Sequence, residues 1–283
     1  MKLARFLNDG KPQIGVVRED LIFPLAALVP GAPDDMIELI TSWTAWHQAL
    51  DAAEFSGGVP LAGVKLLAPV IRPGKIMAIG LNYADHIAET GNQTPEHQIW
   101  FTKAVTSING PFDPIQVPKA SSKIDYEVEM VAIIGKGGRH ISTAEAPAHV
   151  FGYCVGNDVS VRDWQRHTPQ WVLGKSFDTH GVMGPWITTA DELGEPHRLN
   201  ISCTVNGDVR QSSNTKNLVF TVWDQIELLS KAMTLEPGDV IYTGTPGGIG
   251  AARKPPVFLA AGDKVVCEIA ELGKIEGVMV DEE

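Results

Sequence analysis

The chain is poor in cysteine, short of basic residues and without long apolar runs. Its 283 residues hold three cysteines, Cys154, Cys203 and Cys267, widely spaced and with no CxxC pair. That spacing excludes a zinc pattern and a disulfide framework. The three thiols read as small buried hydrophobes of a protein kept in a reducing, cytoplasmic compartment. Lys and Arg number 23 against 34 Asp and Glu, a formal charge of −11. A nucleic-acid binder needs a basic face to displace counterions, and a polybasic membrane-surface protein needs one too; neither partner is expected. No stretch is long and apolar enough to span a bilayer. The opening MKLARFLNDG carries Arg5 where an apolar core would lie, so it does not read as a signal peptide.

What is abundant is chain punctuation. Twenty-eight glycines and nineteen prolines suit short strands and many turns better than a helical bundle. KLARFLN, QIGVVR and LIFPL read as short strands. A helix is expected behind them, with Met36, Leu39, Ile40, Trp43, Trp46, Leu50 and Ala53 at helical spacing. A boundary near residue 65 would separate a small N-terminal α+β domain (1–65) from the remainder (66–283). Beyond it, KIMAIGLN, IDYEVEMVAIIG, NISCTVNG, DVIYTGT and DKVVCEIAELG are β-branched runs. Asn206-Gly207 suits a two-residue hairpin turn with positive φ at both positions. One further helix is expected over about 218–233. The strands are not separated by regular helices, so the fold class is α+β and β-rich rather than doubly wound.

The segment Asp125-Tyr126-Glu127-Val128-Glu129-Met130 is the most informative. Alternate side chains of a strand share a face, which sets Glu127 and Glu129 side by side at ~6.6 Å between Cα atoms. An E-x-E pair also occurs on solvent-facing strands. Here the following Val131–Ile134 are apolar on both faces, as in a buried strand, and buried carboxylates need a cation or a partner. A divalent ion with oxygen ligands meets that need. Asp158 supplies a third carboxylate in GNDVSVRDWQ. If a helix follows, Asp158, Arg162 and Gln165 share one face, where the arginine could grip a carboxylate or merely form an i,i+4 surface pair. In GLNYADHIAE, Asn82 is expected to cap a helix that sets His86 and Glu89 at i,i+3. A carboxylate beside a histidine makes a general base, or simply an exposed helical pair. Lys175 lies in an apolar segment, as a snorkelling surface lysine or as a cation balancing an acidic site. YTGTPGGIG (242–250) is neither a Walker loop nor a dinucleotide fingerprint, yet its amides could approach an anion.

GLNYADHIAE, DYEVEMVAIIG, GNDVSVRDWQ, GKSFDT followed by MGP, and YTGTPGGIG occur in one order over roughly residues 70–275. Together they resemble the fumarylacetoacetate hydrolase family. The resemblance implies a mixed β-roll catalytic domain behind the small N-terminal domain, usually as a homodimer. It implies Mg²⁺ or Mn²⁺ held by Glu127, Glu129 and Asp158. It makes His86 and Glu89 a catalytic dyad with Lys175 nearby, and puts Arg162, Gln165, Thr245 and Tyr83 at substrate contacts. The implied substrates are small anionic 2-oxo acids. The favoured reaction is C–C hydrolysis of an acylpyruvate or 2,4-diketo-3-deoxy sugar acid to pyruvate and a second acid. In it His86–Glu89 deprotonates water and Lys175 helps stabilise the departing enolate. Oxaloacetate decarboxylation and isomerisation or hydration of unsaturated 2-oxo acids use the same parts. A catalytically silent metal-binding member is the alternative of another class, though no ligand or dyad residue is missing.

Overall fold

Strands dominate the computed structural model, which describes residues 1–91 and 93–283. The β-branched, wholly buried run Val128–Ile134 lies near the middle of the larger sheet. It pairs antiparallel with Val150–Asp158 on one side and Val240–Tyr242 on the other. Ile76–Gly80 follows, parallel to Val240–Tyr242, and Ile99–Thr102 forms that edge. On the other flank Val150–Asp158 pairs with Gly181–Thr189.

The N-terminal strands join this same sheet. Lys2–Asn8 pairs along its length with Lys11–Arg18 and meets Gly181–Thr189 through Lys2↔Thr188 and Leu3↔Ile187. Leu3, Ile14 and Val16 share one apolar cluster with Val131, Ile133, Cys154 and Ile187. Hydrogen bonding and core thus run across the expected boundary near residue 65.

A second sheet of five strands has the order Asp208–Asn214, Asn200–Val205, Lys264–Ile269, Gly273–Asp281, Ile115–Val117. Its inward alternation (Ile201, Cys203, Val205) packs with Met130 and Ala132, so the strand Val128–Ile134 is sandwiched. Asn206 and Gly207 make the expected hairpin turn at φ +54° and +87°.

Two helix expectations are revised. The helix over 36–53 is two, Met36–Thr41 and Trp43–Asp51, because the Ser42 hydroxyl donates back to the Glu38 carbonyl and its backbone leaves the helical region. The helix placed over 218–233 is Val222–Ala232, opened by a Thr221/Asp224 capping box. Residues 219 and 220 are drawn away by Asn82, which bonds both their amides. Among the described residues no helix is long and apolar enough to cross a membrane.

Candidate active site

Glu127 immediately precedes the buried strand Val128–Ile134, and Glu129 lies within it two residues on, on the same face. Asp158 arrives from the neighbouring strand, where Val128 opposes Asn157. One oxygen from each of the three carboxylates lies within 4.8 Å of the others. This revises the helical placement of Asp158. It ends a strand, the helix Arg162–Arg166 starts four residues later, and sheet register sets it beside Glu127 rather than on a helical face with Arg162 and Gln165. Asn157 holds the junction, its Oδ1 accepting from the Glu127 amide at 3.0 Å.

Three cations interleave with the acids. Lys175 Nζ lies 2.6 Å from Glu127 Oε2 and 2.7 Å from Asp158 Oδ2. Lys103 Nζ lies 2.7 Å from Asp158 Oδ1 and donates to the Lys175 carbonyl. Arg162 donates from Nε to Asp125 (2.8 Å) and from Nη1 to Glu127 (2.7 Å) and Gln165 (2.9 Å). Its Nη2 is buried with no partner among the described residues. Lys103, Asp125 and Asn157 were not singled out in the sequence. Lys103 sits in a stretch without motif character, and Asp125 and Asn157 flank the residues that drew notice.

Four formal negatives thus face three positives, and the electrostatics follow. Burial works against ionising Glu127, but Lys175 and Arg162 overcome it and bring its carboxyl down to about 2. Glu129 goes the other way. Burial, then Asp158 and Glu127, push it well above the carboxylate range, although the Gly244 amide donates to it at 2.7 Å. Burial lowers the Lys103 ammonium, while Asp158 and Glu127 more than offset burial at Lys175. Three buried hard-oxygen donors, one unable to ionise comfortably beside the other two, fit a divalent cation such as Mg²⁺ or Mn²⁺.

His86 and Glu89 stand on the helix Ala84–Thr90, which Gly91 ends at φ +68°. Asn82 is not its cap; Tyr83 occupies that position without a side-chain bond. The Asn82 side chain is spent instead on the Phe220 and Thr243 carbonyls and the Phe220 amide. His86 Nδ1 is 3.6 Å from Glu89 Oε2, just beyond hydrogen-bond reach, and has no other partner among the described residues. Burial lowers the imidazole below 6.5, which leaves it neutral at pH 7.

The glycine loop turns its amides onto the protein's own carboxylates rather than an external anion. Gly244 donates to Glu129, Gly247 to Asp85, Gly248 to Glu89, and Gly250 and Ala251 to Asp125. Gly248 has φ +104°, and a Cβ there would stand 2.0 Å from the Arg210 carbonyl oxygen. Thr245 Oγ1 donates to Val128 O and accepts from Gln211.

These groups surround a cavity of about 290 Å³. One wall carries Glu127, Glu129, Arg162 and Lys175, with His86 beside it. Gln165, Arg166 and Thr245 line it further, and Phe101, Trp171 and Ile249 form an apolar side. Tyr83, expected at the substrate, lies outside this wall. It is 0% exposed, packed in the core with its hydroxyl unpartnered.

Comparison with known proteins agrees with this architecture. The model for the fumarylacetoacetate hydrolase C-terminal domain matches residues 75–280, and an Rv2993c-like N-terminal model matches residues 1–69. The oxaloacetate tautomerase Fahd2a, mitochondrial, of Rattus norvegicus is 51% identical over 251 residues, 87% of this chain and 80% of that protein. The fumarylacetoacetate hydrolase structure from Exiguobacterium antarcticum superposes with a TM-score of 0.87 at 37% identity, each chain covered in full. Maleylpyruvate hydrolase from Sphingobium sp. SYK-6, solved with manganese(II) and pyruvate, gives 0.83 at 34% identity, again over both whole chains. The chain belongs to the fumarylacetoacetate hydrolase family.

Proposed function

We propose that this chain is a metal-dependent oxaloacetate keto–enol tautomerase. The observation that carries the reading is its 51% identity to an oxaloacetate tautomerase over 87% of the chain. The site supplies what the reaction needs. Tautomerisation breaks one C3–H bond and forms one O–H bond at C2, with no water consumed. A neutral imidazole at the cavity wall is suited to take the C3 proton. Glu89, 3.6 Å away, steadies the imidazolium that results. The unpartnered Nη2 of Arg162 is available to the substrate's C1 carboxylate. Lys175, an ammonium held by Glu127 and Asp158, sits where negative charge grows on the C2 oxygen and can protonate it. A divalent ion held by Glu127, Glu129 and Asp158 supplies, when bound, Lewis-acid stabilisation of that charge.

Hydrolysis of an acylpyruvate is the second reading, favoured by the 34% identity to maleylpyruvate hydrolase over the whole chain and by the same His86–Glu89 pair. The two part on products. The test follows the ultraviolet absorbance of enol-oxaloacetate with Mg²⁺ or Mn²⁺ and then with EDTA, alongside pyruvate release from acetylpyruvate. Accelerated enol decay that EDTA abolishes, with little pyruvate released, is the expected result. Enol decay at the buffer rate together with rapid acylpyruvate cleavage would overturn the proposal in favour of the hydrolase.

A further inference from the structure

We infer that Arg166 selects dianionic 2-oxo acids by binding the carboxylate remote from the 2-oxo group. Arg162, Arg166 and Lys175 are the cations of the cavity wall. Two of them already bond the protein's own carboxylates, and Arg162 keeps only Nη2 for the C1 carboxylate. Lys175 is tied to Glu127 and Asp158, and Arg162 to Asp125, Glu127 and Gln165. Arg166, in the last turn of the short helix that carries Arg162 and Gln165, makes no hydrogen bond or ion pair with any described residue. It also borders an adjoining cavity of about 500 Å³, which shares Thr90, Ile249 and Arg166 with the first. Arg166 therefore stands at the junction of an inner chamber and an outer one.

Lys254, exposed and likewise without an ion partner, lies on the outer chamber. The one carboxylate there, Glu89, accepts from the Gly248 amide. The rim thus presents two uncommitted cations on a chain of net charge −11. A monocarboxylate held at the inner pole leaves Arg166 solvated. A dicarboxylate of oxaloacetate length brings a second anion to it, and a planar guanidinium grips a carboxylate with two parallel bonds.

The inference rests on the tautomerase reading for its choice of substrate, but its test is a binding measurement. Oxaloacetate and 2-oxobutyrate differ only by a carboxylate replaced with a methyl group. Calorimetry in Mn²⁺ compares both for the wild type, Arg166→Leu and Arg166→Lys. The wild type is expected to bind oxaloacetate about 10- to 100-fold more tightly than 2-oxobutyrate, the range of one charge-assisted contact. Arg166→Leu should remove that preference and leave 2-oxobutyrate unchanged, and Arg166→Lys should retain part of it. The inference is overturned if the wild type shows no preference, if Arg166→Leu keeps it, or if both ligands weaken together. Selective binding without enol turnover would sink the tautomerase reading and leave the role of Arg166 standing.

Discussion

Replacing Lys103 by methionine tests the buried charge network. Methionine matches the lysine stem and deletes the ammonium. Asp158 Oδ1, 2.7 Å from that ammonium in a fully buried position, loses one of the two ion partners of its carboxylate, Lys175 staying on Oδ2, and the Lys175 carbonyl loses a donor. The formal balance of the four acids and three bases falls from −1 to −2. Breaking a buried pair from one side costs about 3–5 kcal/mol, because the remaining charge stays desolvated. A chain of 283 residues unfolds with an entropy of roughly 0.6 kcal/mol/K, so the melting temperature should fall by about 5–8 °C. A divalent ion at Glu127, Glu129 and Asp158 replaces the missing positive charge. Saturating Mn²⁺ should therefore raise the variant's melting temperature more than the wild type's. Scanning calorimetry with Mn²⁺ and with EDTA reads both numbers. An unchanged melting temperature in EDTA, or an equal rise with Mn²⁺ in both proteins, would refute the reasoning.

Three other outcomes are expected. His86→Gln should lower kcat for enol-oxaloacetate by about 10²–10⁴-fold while Mn²⁺-dependent oxalate binding persists in calorimetry; a loss below tenfold removes the imidazole from proton transfer. His180 is buried with Nε2 donating to the Gln116 carbonyl, and burial brings its imidazole down to about 4 from 6.5. Its folded form prefers to be neutral, so its stabilising share is complete above pH 6.5 and is lost as pH falls towards 4, by about 3 kcal/mol. Urea titrations of His180→Gln should show a shallower acid decline than the wild type, and identical slopes would refute the assignment. Gly248→Ala, with its Cβ against the Arg210 carbonyl, should cost about 1–3 kcal/mol and draw the amide off Glu89, lowering kcat more than it raises KM.

The sequence was most legible where chemistry is local. Glu127 and Glu129 share a face because a strand alternates, and the apolar run behind them foretold their burial. His86 and Glu89 are neighbours by helical spacing alone. What was hidden depends on pairing between distant segments. Asp158 meets Glu127 through strand register, which no helical count could give. Lys103 reaches Asp158 across 55 residues of chain, with no motif around it to mark the contact. Asn82 was misread for the same reason: its amide serves backbone groups 138 and 161 residues away, and a local capping rule cannot see them. Tyr83, beside it, followed the core rather than the cavity. The N-terminal strands were recognisable as strands, but not their continuation of the central sheet through Leu3 and Ile187.

The loop from Gly244 to Ala251 ties together parts that lie far apart in sequence. Its amides hold the Glu129 carboxylate of the central strand, two carboxylates of the His86 helix, and the aspartate that anchors Arg162. Because every one of these donors is main chain, only an exchange to proline deletes them directly. A substitution that reshapes the backbone, as at Gly248, moves them. Thr245, Gly244 and Gly250 are held as firmly as Gly248, by the Thr245 hydroxyl bonds and by the lack of room for a Cβ, so the whole loop is constrained by the wiring it carries. On the proposed reading, the loop links the carboxylate beside His86 to a carboxylate of the candidate cation site through one run of backbone.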